Sequence, residues 1–280
     1  MVASLVLSGI TKRYGSTTAL DDTSFSVSPG EFVALVGPSG SGKSTVFRTV
    51  TRLVSPDSGR IEVLGRDMAA LRGRKLRDAR RDIGLIFQQF NLIGRMPAIS
   101  NVLAGRLGHA PTWRVVTRLF SGADRQLALA CLDRVGLLDK AYQRADSLSG
   151  GQQQRVAIAR VLAQRSRVIL ADEPVSSLDP QASENVLNLL RTIAREEGLA
   201  VLCALHQVDL ARAFADRVVA LRDGRVVLDA ASSCFDADAY AAIYGAAENR
   251  TQAPAQHLVL PENDLRPQNS SSLGKSALRQ

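Results

Sequence analysis

Residues 37–45 constrain the fold more than any other stretch, because three glycines interrupt the chain between a strand pattern and a helix pattern. The stretch reads Gly37-Pro38-Ser39-Gly40-Ser41-Gly42-Lys43-Ser44-Thr45. Residues 31–36 before it are almost wholly apolar, which predicts a buried strand. Four apolar residues after it recur at helical spacing: Val46, Phe47, Val50 and Leu53. We therefore predict a strand, a tight glycine-rich turn and a helix in succession.

This succession is the context that a phosphate-binding loop requires. The glycines allow several backbone N–H groups to point inward, and the helix N-terminus adds a partial positive charge. Lys43 is placed to reach the β- and γ-phosphates, and the Ser44 hydroxyl is placed to bind Mg²⁺. A chance glycine-rich turn is the alternative, which the flanking strand and helix disfavour. We predict that residues 37–45 bind a nucleoside triphosphate.

A second strand pattern ends in two acids. Residues 168–171 are apolar and are followed by Asp172 and Glu173. Carboxylates at the end of a buried strand lie at the sheet edge where α/β proteins bind ligands. Asp172 corresponds to the residue that holds the Mg²⁺ shell in phosphate-loop enzymes. Glu173 is placed to orient the attacking water or accept its proton. The alternative is that both acids only cap the next turn.

The helix pattern after residue 148 begins with glycines and a serine, as does the helix pattern that follows residues 37–45. Ser149, Gly150 and Gly151 open it, so that a hydroxyl and free backbone N–H groups lie together at a helix N-terminus. This arrangement predicts a second anion site. One nucleotide needs only one such cradle, and we therefore expect the second to serve the nucleotide of another chain.

Length and composition fit one large domain, or a domain with a subdomain. Of the 280 residues, 45% are hydrophobic and 22% are charged, as in ordinary globular proteins. No apolar run approaches the roughly eighteen residues that cross a bilayer, and residues 1–5 do not resemble a signal peptide. The three widely spaced cysteines favour a reducing compartment over a disulfide framework or a zinc site.

The net charge of +8 is concentrated in residues 66–82, which hold seven basic and three acidic residues. Such an excess can mark nucleic acid or an anionic membrane as a partner. A solvated helix face is the interpretation we favour. No aromatic residues alternate with these charges, so we expect no nucleic-acid partner.

The rest of the chain alternates between strand and helix patterns. Strands are predicted at 5–7, 24–28, 60–65, 83–87, 168–172 and 200–205, with a hairpin at 218–221 and 226–228 and helices at about 152–164 and 180–197. Residues 98–148 show helical spacing and no strand pattern, which predicts a helical insertion. The alternation implies a mainly parallel sheet covered on both faces. From residue 246 the composition becomes polar, so we expect 246–280 to be a disordered tail in which His257 has no role.

Taken together, these motifs resemble those of ABC-type ATPases over residues 3–245. The stretch Leu148-Ser149-Gly150-Gly151-Gln152, continued to Arg160, resembles the signature motif of that family. The resemblance implies a phosphate-loop ATPase with a mainly parallel core sheet, an N-terminal antiparallel β part and a helical subdomain at about 90–165. ATP and Mg²⁺ are the implied ligands.

The resemblance also implies roles for single residues. Tyr14 resembles the aromatic that stacks on adenine, although a surface tyrosine is the alternative. Gln88 resembles the glutamine that joins the Mg²⁺ shell and senses a membrane partner. Residues 176–179, ending in Asp179, resemble the loop that crosses between subunits. His206 resembles the histidine at the γ-phosphate, where it would act with Lys43 and Glu173.

The implied mechanism is a head-to-tail homodimer in which each ATP lies between residues 37–45 of one copy and residues 149–152 of the other. ATP binding then closes the dimer and hydrolysis opens it. A membrane importer and a soluble ATPase acting on DNA, ribosomes or cluster assembly are the two classes of function. The first is favoured, because no second cassette, long coiled-coil insertion or cysteine-rich segment is present.

A sharper resemblance is to the phosphonate importer ATPases. It rests on residues 88–95, 101–103, 105–108, Trp113, Leu119-Phe120 and 206–209. It implies two integral-membrane permease subunits, an extracytoplasmic phosphonate-binding protein, and a peripheral position on the cytoplasmic face of the cell inner membrane. Amino-acid and methionine importer ATPases share part of residues 88–92 and are the alternative.

Overall fold

The computed structural model describes residues 3–109, 120–234 and 243–244, and its regular elements form two sheets with helices packed around them. The strands are β1 (Leu5–Tyr14), β2 (Thr17–Val27), β3 (Phe32–Val36), β4 (Ser58–Val63), β5 (Arg66–Asp67), β6 (Ile83–Ile86), β7 (Val168–Asp172), β8 (Ala200–Ala204), β9 (Arg217–Arg222) and β10 (Arg225–Ala231). The helices are α1 (Lys43–Val50), α2 (Gly73–Arg81), α3 (Ala98–Leu103), α4 (Gly122–Arg134), α5 (Gly150–Gln164), α6 (Pro180–Glu197) and α7 (Val208–Phe214).

The central sheet has six strands in the order β10-β9-β3-β8-β7-β6. All of its neighbouring pairs are parallel except β9 and β10, which form the predicted hairpin. Strands β3 and β8 are buried at every position, as expected for a sheet covered on both faces. The predicted mainly parallel α/β core is therefore confirmed.

The central sheet separates two hydrophobic cores. Along β3, Phe32, Ala34 and Val36 contribute to the core beneath α4, α5 and α6. Val33 and Leu35 contribute to the core shared with α1 and the smaller sheet. This alternation follows the two-residue period of a strand, and both faces are apolar because both are covered.

The smaller sheet is antiparallel, with the order β2-β1-β4-β5. It confirms the N-terminal antiparallel part, but the predicted strands at 5–7 and 24–28 were too short. In the structure β1 and β2 are ten and eleven residues long and pair over almost their whole length. Register shifts after Leu7 and Ile10 interrupt the alternation of apolar residues, which hid the strand pattern. Residues 12–14, predicted to lie between strands, belong to β1.

The basic segment was predicted as one helix, and only part of it is helical. Arg66–Asp67 form the short edge strand β5, and the helix α2 begins at Gly73. The helix is amphipathic in the expected way, because Ala79 is buried while Arg74, Lys75 and Arg77 are exposed.

The described regular elements between β6 and β7 are helices, with α3, α4 and α5 packed on one another, while residues 87–97 are irregular. This agrees with the predicted insertion, while the subdomain limits of 90–165 remain a prediction. Trp113, Leu119 and the tail 246–280 lie outside the described residues. Of the helices in the described part of the chain, none combines the length and the apolar character needed to cross a membrane.

Candidate functional site

The order of the parallel strands brings the predicted site residues to one sheet edge. β3 leads into residues 37–45, β8 leads to His206, β7 ends at Asp172 and β6 leads to Gln88. Because β3, β8, β7 and β6 are consecutive and parallel, their carboxyl ends meet at the same edge. Ligands of open α/β sheets bind outside this edge.

The glycines of the loop are required by its backbone. Gly37 has a φ of +147°, and a Cβ there would lie 2.1 Å from the carbonyl oxygen of Leu221. Gly42 has a φ of +110°, and a Cβ there would lie 2.6 Å from the carbonyl oxygen of Ala19. No side chain larger than hydrogen fits either position without displacing backbone. The loop is thus held tightly between β2 and β9.

Lys43 is the first residue of α1 and is only 6% exposed. Its Nζ donates to the carbonyl oxygens of Gly37, at 2.7 Å, and Pro38, at 3.1 Å. Burial lowers the pKa of Lys43, while the carboxylates of Glu173 and Asp172 act in the opposite direction. The ammonium group therefore lies within the electrostatic reach of both acids.

The other side chains of the loop differ in exposure. Ser39 and Ser44 are exposed and Thr45 is half-buried. The Ser41 hydroxyl is buried and has no hydrogen-bond partner among the residues that the structure describes. The loop therefore presents Ser44 to solvent beside Lys43 at the N-terminus of α1.

Glu173 and His206 are in direct contact, with Glu173 Oε1 2.5 Å from His206 Nε2. Glu173 has a φ of +50°, which is uncommon for a residue with a side chain. Its backbone N–H donates to the carbonyl oxygen of Ala204 on the neighbouring strand, at 3.2 Å. Strained backbone of this kind is found where a side chain must be aimed, and here it accompanies the imidazole contact.

Asp172 lies next to these groups. Burial raises the pKa of Asp172, as does the neighbouring Glu173 carboxylate, while Lys43 lowers it. A cation beside Asp172 would stabilise the ionised carboxylate, which burial and Glu173 disfavour.

The predicted Mg²⁺ ligands suit the ion. Ser44 and Gln88 supply neutral oxygens and Asp172 supplies one carboxylate. Mg²⁺ is commonly held by one or two carboxylates together with phosphate oxygens and water, rather than by a cage of protein ligands. The described residues contain no cluster of three or more His, Cys, Asp or Glu side chains that could hold a metal ion.

Ser149 and Gln152 form a capping box at the start of α5. The Ser149 hydroxyl accepts from the Gln152 N–H, and the Gln152 Oε1 accepts from the Ser149 N–H at 3.1 Å. A Cβ at Gly150 would lie 3.2 Å from Leu178, and one at Gly151 would lie 3.1 Å from Ala182. The motif thus also has a structural role, packing the start of α5 against residues 178–182.

Two further predicted residues are held locally. Asp179 is the N-cap of α6, where its Oδ1 accepts from the Ala182 N–H at 2.8 Å. Tyr14 ends β1 with 44% of its surface exposed, and Lys12 Nζ lies 5.5 Å from the centre of its ring. The Lys12 ammonium group therefore lies over the ring, and the stacking of adenine on Tyr14 stays a prediction.

Gln88 is exposed just beyond β6 and lines a groove of about 620 Å³. The groove is bordered by residues 88–92, Gly94, Ala145, Asp146, Gln153 and Ser177. It joins the end of the central sheet to the helical part of the chain. Most of residues 88–95, which resemble those of phosphonate importer ATPases, thus line an open groove.

The single chain brings only some of the predicted residues together. Glu173 contacts His206, and the charges of Lys43, Asp172 and Glu173 act on one another. Among the described residues, no hydrogen bond or ion pair joins residues 149–152 to residues 37–45. Gly150 and Gly151 instead lie against Leu178 and Ala182.

One contact with the loop was missed by the sequence analysis. The Gly37 N–H donates to the Tyr244 hydroxyl at 3.0 Å, across 207 residues. Tyr244 shortly precedes the polar stretch 246–280, and no role is predicted for it from the sequence. No local pattern marks it, because a contact over that separation depends on the fold.

A family model for the ABC transporter matches residues 20–176, more than half of the chain. The chain belongs to the ABC transporter family. As an ABC-type ATPase it is an ATP hydrolase, and its relatives and solved neighbours agree with that membership.

Two similar proteins are phosphonates import ATP-binding proteins. That of Bradyrhizobium diazoefficiens is 50% identical over 82% of this chain and 86% of its own length. That of Frankia casuarinae is 52% identical over 88% of this chain and 97% of its own length. A hypophosphite import ATP-binding protein of Stutzerimonas stutzeri is 50% identical over 86% of this chain and 70% of its own length.

Solved ABC cassettes have the same fold. A dimeric cassette in a post-hydrolysis state, bound to ADP and Pi, is 36% identical and has a TM-score of 0.68. A dimeric bacterial ABC transporter cassette is 36% identical and has a TM-score of 0.70. In both cases the alignment covers 81% of this chain and 98% of the other.

Proposed function

We propose that this chain powers the import of phosphonates, or related phosphorus oxyanions, as the ATPase subunit of a membrane transporter. The observation that carries the ATPase part is the meeting of Lys43, Asp172, Glu173 and His206 at the carboxyl edge of the parallel sheet. The cargo is supported by relatives that are about half identical and are phosphonate or hypophosphite import proteins.

In the proposed reaction, water attacks the γ-phosphorus of ATP and the bond to the bridging β,γ oxygen breaks, giving ADP and phosphate. Glu173 orients the water and accepts its proton, and His206 holds the Glu173 carboxylate in place through its 2.5 Å contact. Lys43 stabilises the charge on the transferring phosphoryl group. Mg²⁺, held by Ser44, Asp172 and Gln88, would neutralise charge on the phosphate oxygens.

Two copies complete each site in this proposal. Residues 37–45 of one copy and residues 149–152 of the other face the same ATP, with Tyr14 against the adenine. The dimeric cassettes with the same fold support this. Asp179 holds the crossing loop by capping α6.

The permease is proposed to dock in the groove that Gln88 lines. Its volume of about 620 Å³ suits side chains of one cytoplasmic helix, so that each copy of this chain engages one of the two permease subunits. Gln88 lies both in this groove and at the edge of the sheet, so permease movement and the ATP site share one residue. The subunit would then be peripheral on the cytoplasmic face of the inner membrane, with a phosphonate-binding protein on the other side.

Uptake of a radiolabelled phosphonate tests the cargo. Cells lacking this chain are expected to lose uptake, and to regain it with the wild-type chain but not with Glu173→Gln. Excess unlabelled hypophosphite would reveal related oxyanions as competitors. Uptake that is unchanged by the deletion would refute the phosphonate assignment, and loss of methionine or amino-acid uptake instead would establish the alternative importer class.

A further inference from the structure

The residues before the tail return to the phosphate-binding loop. Ile243 is 2% exposed and its side chain lies in the core shared by α5 and α6. The next residue, Tyr244, is half-buried and packs on the same core. Because Ile243 is anchored in the core, the position of the adjacent Tyr244 ring is restricted.

The ring ends at the base of the loop. The Tyr244 hydroxyl accepts a hydrogen bond from the Gly37 N–H at 3.0 Å. The carbonyl oxygen of the same glycine accepts from Lys43 Nζ at 2.7 Å. Gly37 is therefore hydrogen-bonded on one side by the tyrosine and on the other by the lysine.

Gly37 also has little freedom to compensate for a lost contact. It is buried, and its Cα approaches the Leu221 carbonyl so closely that no Cβ fits. Gly37 has a φ of +147° and no side chain that could hold this conformation by packing. Its backbone hydrogen bonds therefore hold the loop in place. An unpaired N–H here would be a buried orphan donor, which favours a change in loop conformation.

We propose that Tyr244 is a positioning residue for ATP binding, which holds Gly37 and through it the lysine-bearing loop in the conformation that receives the phosphates. This inference rests on the proposed role of residues 37–45 and adds to it a contribution from the end of the domain. The hydroxyl acts through Gly37 and does not touch the phosphates.

Tyr244→Phe is the test, because it removes one oxygen and retains the ring that packs on the core. We expect the KM for ATP to rise about three- to tenfold with little change in kcat, as for the loss of one buried hydrogen bond. Tyr142→Phe, which removes the hydroxyl of a tyrosine that is 74% exposed, is the matched control and should leave KM unchanged.

Thermal unfolding with and without Mg-ATP separates positioning from simple stabilisation. Positioning predicts that the rise in Tm on adding Mg-ATP is smaller in Tyr244→Phe than in the wild type. An unchanged KM, or an equal Tm loss with and without nucleotide, would overturn the inference while wild-type ATP binding remained intact. A wild-type chain that shows no response to Mg-ATP would instead overturn the proposed ATP site, and this inference with it.

Discussion

Replacing Glu173 with glutamine is expected to lower ATP turnover by about a hundred- to ten-thousandfold, the range typical of a lost general base. The amide has the same shape but cannot accept the proton of the attacking water. ATP binding should persist, because Lys43 and the loop are unchanged. The variant should therefore accumulate as an ATP-bound dimer, which size-exclusion chromatography with light scattering would detect.

Glu184→Gln is the matched control for this substitution. Glu184 is exposed on α6, so the same chemical change should leave turnover as in the wild type. Normal hydrolysis by Glu173→Gln would show that the role of Glu173 is misassigned. Loss of hydrolysis without an ATP-dependent dimer would leave the catalytic role but contradict closure by ATP.

Replacing Lys43 with methionine is expected to lower kcat/KM for ATP by about a hundred- to thousandfold, the range found when one charge-stabilising donor is removed from an active site. Methionine retains the buried stem but loses the ammonium group that bonds to Gly37 and Pro38. Because burial lowers the pKa of Lys43, the fold disfavours its charge. The Tm without nucleotide should change little, because relief from burying a charge offsets the loss of the two hydrogen bonds.

Lys75→Met provides the control, since Lys75 is exposed on α2 and far along the chain from the loop. Isothermal titration with Mg-ATP and steady-state hydrolysis would measure both variants. Wild-type affinity and turnover in Lys43→Met would refute the assignment of the loop. A large fall in Tm would indicate that the lysine serves the fold.

The sequence predicted some elements to the residue. β7 spans 168–172 and α6 spans 180–197, as expected. The limits of α6 were readable because Asp179 caps it, Pro180 begins it and Gly198 ends it with a φ of +65°. Strong local signals therefore coincide with correct boundaries.

Elements without such signals were missed or shortened. The helix α7 has only seven residues, and the hairpin of β1 and β2 has register shifts that break its apolar alternation. The strand ends near Asp172 and His206 were predicted, but their adjacency follows from the strand order, which no local pattern encodes.

In the candidate site, too, local sequence signals were readable, whereas contacts between distant residues were not. Glycine spacing and the two acids at the end of β7 predicted the phosphate loop and its carboxylates. The contact between Glu173 and His206, and that between Tyr244 and Gly37, join residues distant in sequence. The signature motif also has a second role, since Ser149 and Gln152 cap α5 in the single chain. A substitution at Ser149 must therefore preserve the cap to be informative.

Mixing two inactive variants tests most directly whether two copies share each ATP site. Ser149→Asp keeps a good helix cap but places a negative charge where the partner's phosphate would lie, and Ser149→Asn is its uncharged control. Combined with Lys43→Met, Ser149→Asp should restore about a quarter of wild-type ATPase activity, since random pairing makes half of the dimers mixed, each with one intact site. An inactive mixture in which mixed dimers are present, or full activity from a strictly monomeric chain, would contradict the account.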